Sequence, residues 1–159
     1  MNTALLLTVL EDALWSALAA AGFAMLFNVP VRTLPGCAIL GAVGHAARTL
    51  LMHMGMSVEA GTLAGATLVG FLGLVFARRW RTPATVYTLS GAIPMVPGSL
   101  AFRTMIGLLR LAEAAPEAAA PMLADVSVSA IKTGLILGAI AVGITAPSLL
   151  VVRQRPLAR

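Results

Sequence analysis

The chain has 159 residues, 59% of them hydrophobic and only 11% charged, with a net charge of +5 and a mean hydropathy of +0.95. Soluble domains use about 25% charged residues, so this composition excludes an ordinary soluble fold and indicates an all-α integral membrane protein in a lipid bilayer. The basic balance does not call for nucleic acid, because the arginines stand in short loops between apolar runs, where membrane orientation signals lie.

Five helical spans are expected, at residues 4–27, 34–54, 58–77, 84–110 and 126–152, forming one transmembrane domain with a basic tail at 153–159. Each is close to the ~20 residues that cross a bilayer. The first lacks a basic n-region, and Glu11 and Asp12 interrupt its apolar run, so it reads as a retained helix rather than a signal peptide. Asn28 and Pro30 end it, and Gly55 ends the second. The second span holds Cys37, the only cysteine, so no intrachain disulfide is available. His45 and His53 form no recognisable zinc motif, and neither a metal nor a cofactor is expected.

Small residues recur at helix-packing intervals, as Gly61-xxx-Gly65, Gly70 and Gly73 in the third span and Gly134-xxx-Gly138 and Gly143 in the fifth. Such stripes let helices approach closely in lipid. They serve packing within the chain or contact with a second chain, and a homo-oligomer would help to enclose a path that five helices are too few to line. Pro116 and Pro121 are expected to interrupt the link before the fifth span, and Trp80 and Tyr87 to anchor at the interface beside the arginines.

Arg32, then Arg78, Arg79 and Arg81, then Arg153, Arg155 and Arg159 sort to one side, with Glu59, Glu113, Glu117 and Asp125 on the other. This alternation needs an odd number of crossings. The positive-inside rule then sets the N-terminus outside, or periplasmic, and the C-terminus in the cytoplasm. A four-span alternative would separate Arg32 from the later arginines or leave an apolar segment uncrossed.

Ionisable residues at membrane depth are costly and mark functional positions. Glu11, Asp12, Arg48, Arg103 and Lys132 share a layer in the outer half, with His45 one turn deeper than Arg48. Glu11, Asp12 and Lys132 read as ion-pairing or proton-coupling groups, and pairing of Glu11 or Asp12 with Arg48 is one expectation. Arg48 and Arg103 suit an anion, since guanidinium binds a carboxylate by two parallel hydrogen bonds. His45 serves as a proton relay, a substrate contact or a packing residue.

The fourth span contains "IPMVPGS", residues 93–99. Pro94 and Pro97 lack an N–H and push the residues before them out of the helical region, Gly98 frees the backbone, and Ser99 reads as the N-cap of an outward half-helix. The break is expected near the membrane midplane, where its amides would face an anion, as discontinuous helices do in secondary transporters. No nucleophile–base–orienter spacing supports an enzyme centred on Ser99 or His45, so no catalytic residue is assigned.

The segments "GFAMLFNVPVR", "GAVGHAAR" and "IPMVPG" together resemble the YjjB-like small subunits of the split threonine/serine exporter (ThrE) family, over nearly the whole chain. The resemblance implies a bacterial inner-membrane subunit acting with a larger YjjP-like membrane subunit. For that branch it implies succinate as the exported substrate, and threonine and serine for the wider family. A small carboxylate substrate would meet Asn28, His45, Arg48, Pro94, Pro97, Gly98, Ser99 and Arg103. The alternatives are a threonine/serine exporter subunit and an assembly subunit without its own substrate site.

Overall fold

The computed structural model describes residues 3–151; the basic segment 153–159 lies outside them. The helices are α1 (Thr3–Leu26), α2 (Leu34–His53), α3 (Val58–Trp80), α4 (Ala84–Ala92), α5 (Gly98–Ala112) and α6 (Pro116–Val151), with 3-10 turns at Val31–Thr33 and Ile93–Met95. Among the described residues there is no strand. Helices α1, α2, α3 and α6 are long and apolar enough to cross a membrane, and α4 and α5 make a fifth crossing if the pair, bent by 60°, is one span.

Local signals explain most helix ends. Asn28 adopts the left-handed region at φ 55, which asparagine tolerates better than most residues. The Asn28 amide then donates to Met25 C=O at 2.9 Å and the Val29 amide to Ala24 C=O at 3.0 Å, the paired bonds that close a helix C-terminus. Ser57 caps α3 by accepting from the Ala60 amide at 3.3 Å. Arg81, at φ 50, ends the same helix after its 23 residues, later than residue 77.

The link before the last helix is where structure and expectation part. Pro116 and Pro121 do not interrupt it; α6 starts at Pro116 and runs unbroken for 36 residues. At the first helical position a missing N–H costs nothing, and Pro121 forgoes only the bond to Glu117, an exposed residue.

Helix α2 is central and packs on α1, α3 and α4, while α3 also packs on α6. The glycines permit these close approaches. A Cβ on Gly65 would lie 2.6 Å from the Gly44 carbonyl oxygen, and one on Gly143 would lie 2.6 Å from Ala66 Cβ. These contacts run α2 antiparallel to α3, so Arg32 at the start of α2 shares one end of the bundle with Arg78, Arg79 and Arg81 at the end of α3. Cys37, Leu40, Val69, Tyr87 and Met95 are fully buried between α2, α3 and α4.

Tyr87 is therefore no interface anchor. Its ring packs edge-on to Phe76 at 5.8 Å between centroids, and its hydroxyl accepts from Thr82 Oγ1 at 3.1 Å. The buried tyrosine thus has a partner for its polar tip, as burial demands. Trp80, 42% exposed, keeps a surface position.

Candidate functional site

The centre of interest is the break between α4 and α5. Ile93–Met95 forms a 3-10 turn, Val96 is extended at φ −64 and ψ 129, and Pro97 has φ −81 and ψ 59. The Gly98 amide donates to Val96 C=O at 2.9 Å, making Pro97 the centre of an inverse γ-turn. The Ala101 amide donates to Pro97 C=O at 3.0 Å, so α5 begins at Gly98 with Pro97 as its cap residue and no side-chain capping bond. Ser99 is consequently not the N-cap. It lies exposed in the first turn, because the γ-turn starts the helix earlier than the serine.

A break frees backbone carbonyls, and buried ones need a donor. In an unbroken helix Met95 C=O would accept from the Ser99 amide. Here Arg48 Nη1 donates to it at 3.0 Å, bringing a guanidinium from α2 onto the broken segment. Arg48 is half-buried and Met95 fully buried.

Arg48 also lines a hollow of about 240 Å³ with Thr8, Asp12, His45, Thr49 and His53. Thr49 Oγ1 donates to Asp12 Oδ2 at 2.7 Å, tying α1 to α2. The expected pairing of Asp12 with Arg48 thus takes another form. The two charges share the hollow, the carboxylate holds a hydroxyl, and the guanidinium holds a carbonyl. His53 Nδ1 lies 2.9 Å from Thr49 C=O. Among the described residues His45 Nδ1 is buried without a hydrogen-bond partner. An unpartnered ring nitrogen beside a cation and a carboxylate is costly to keep unless something else engages it.

The remaining expected site residues scatter. Arg103 is exposed on α5 and lines a different hollow of about 520 Å³ with Arg110, Asp125 and Ser129. Glu11 and Lys132 are exposed. Asn28 closes α1 at the opposite end from Asp12, about 24 Å along the helix at the standard rise. Of the break residues, Pro97 is buried, Pro94 half-buried and Gly98 exposed. Thr49 escaped the sequence reading, and His53 and Arg110 read from sequence as helix-end residues without a functional signal of their own. Arg110 had a usable signal, since it stands seven residues after Arg103 on one helix face; Thr49 had none, because its partner sits on another helix.

A family model described as Threonine/Serine exporter, ThrE, matches residues 12–150. The chain belongs to the threonine/serine exporter family. ThrE is a family of transporters, so this member is a multi-pass membrane transporter protein, and its break and every residue named at its polar hollow except Thr8 fall within the matched residues. No solved structure matches this ThrE chain.

Proposed function

We propose that the chain is the membrane subunit of a two-component exporter of small carboxylates, succinate foremost, working with a larger YjjP-like subunit in a bacterial inner membrane. Its N-terminus is periplasmic and its C-terminus cytoplasmic, in keeping with the clustering of arginines at one end of the bundle. The observation that carries the reading is Arg48. A guanidinium at membrane depth holds a neutral carbonyl at a helix break, beside a His45 Nδ1 that has no partner among the described residues.

A carboxylate entering the hollow offers Arg48 a charge-assisted bond, roughly twice as strong as one between neutral groups. The exchange would release Met95 C=O and loosen the α4–α5 junction as substrate binds. His45 supplies a second contact or a proton, and Asp12 discourages anions from lingering. Outward movement of an anion from a negative-inside cell gains about 2.3 kcal/mol per charge per 100 mV, so export needs no coupling ion. Proton coupling through His45, Asp12 or Glu11 is the other route.

Two observations favour a second reading, export of threonine or serine. The matching family carries that description, and Asp12 lines the hollow with Arg48, so an ammonium and a carboxylate would both find partners. Efflux of labelled succinate and labelled threonine should be compared in cells expressing the chain with and without the larger subunit. Succinate efflux that needs both chains supports the first reading and threonine efflux the second. Unchanged efflux of every carboxylate would overturn both.

A further inference from the structure

Helix α1 presents a lipid-facing stripe with a carboxylate at its centre. Leu7, Leu14, Trp15 and Leu18 stand at four before and three, four and seven after Glu11, and each is between 56% and 62% exposed. The opposite face, Ser16, Ala20 and Ala24, is the one buried against the bundle. A lone copy would leave Glu11 facing hydrocarbon, an expensive position for an acid.

A complementary surface lies between α3 and α6. It is a groove of about 490 Å³ lined by Ala60, Leu63, Leu135 and Val142, with Gly134 and Gly138 as its open side. A Cβ added to either glycine would meet nothing within 4 Å, whereas Gly143 on the same helix is already filled by Ala66. Lys132, exposed, stands three residues before Leu135 at the outer end of this groove, and Glu59 lies at its mouth.

The depths correspond. Asp12 bonds Thr49, Gly61 packs on Arg48, and Ala66 faces Gly143 on the parallel α6. Glu11 is therefore level with the region of Gly138, about 9 Å inward of Lys132 at the standard rise, rather than in one layer with it as the sequence suggested. Outstretched lysine and glutamate side chains cover that gap.

We infer that copies of this chain associate head to tail, the α1 stripe of one seating in the α3–α6 groove of the next, with Glu11 meeting Lys132. Both charges belong to this chain, on separate surfaces, so a second copy supplies what each lacks. The contact is heterologous and makes a closed ring where the rotation between copies closes.

The test uses the full chain in membranes, with Cys37→Ala removing the native thiol. One tagged copy carries Leu7→Cys and a differently tagged copy carries Leu135→Cys. A cross-linked dimer is expected when both are present and not with either alone. Glu11→Lys or Lys132→Glu should each lower the yield about fivefold, the size of an interhelical polar contact of ~1 kcal/mol. Combining both in every copy should restore it. Gly138→Leu should lower the yield while leaving the thermal midpoint of the detergent-solubilised chain unchanged. No cross-link between copies, cross-linking only to a larger subunit, a double exchange as poor as the single ones, or full yield with Gly138→Leu would each overturn the inference.

Discussion

Arg48 braces the break through Met95 C=O and, in the proposed function, also meets the substrate; substitutions separate the two roles. Arg48→Ala removes the donor to Met95 C=O and leaves a buried acceptor unsatisfied, a loss of about 1–3 kcal/mol. The thermal midpoint in detergent should fall and export should stop. Arg48→Lys retains a charge and a donor but not the planar fork. It is expected to keep most of the stability and lose most of the export, whereas a residue that only braces the break would keep both. Glycine positions offer a second contrast. Gly65→Ala drives a Cβ toward the Gly44 carbonyl and should cost about 1–3 kcal/mol as overpacking. Gly138→Ala meets open space and should leave the thermal midpoint of the single chain unchanged.

Among the elements, the α4–α5 junction is the one whose geometry matters most. The 60° bend turns α5 off the bundle, where it packs mainly on α6. Both prolines withhold an amide, and Pro97 holds Val96 extended at ψ 129; Ile93, before Pro94, was expected to leave the helical region too but keeps it at φ −52 and ψ −43, inside the 3-10 turn. Replacing Pro94 and Pro97 together with alanine should let the two helices straighten. Spin labels at residues 86 and 108 would then move apart in distance measurements, and efflux should fall although the chain still inserts. An unaltered label distance would show that packing on α6, rather than proline, sets the bend.

For the whole molecule, the shared end of Arg32, Arg78, Arg79 and Arg81 gives a topology prediction. Cysteines replacing Arg32 and Arg79 should react with impermeant reagents only from the cytoplasmic side, and cysteines replacing Glu59 and Glu113 only from the outside. Both classes reacting from one side would remove the proposed orientation.

Apolar runs of bilayer length, the two prolines at the break and the arginine-bearing loops were legible in the sequence, because hydropathy, backbone chemistry and charge placement act through neighbours along the chain. The sequence also carried the family resemblance. Partnership across helices was not legible. Nothing local says that Arg48 donates to Met95, that Thr49 holds Asp12, or that Tyr87 is buried, since each depends on which faces of separate helices meet. Expecting Arg48 and Arg103 to line one site failed to foresee the bend, which carries α5 toward α6 and gives Arg103 a hollow of its own with Arg110. The long apolar helices and the existence of the break were thus determined by the chain's own hydropathy and proline content. Which side chains the break gathers was decided only by tertiary packing, because a broken helix in lipid must find donors for its freed carbonyls wherever a neighbouring helix supplies them.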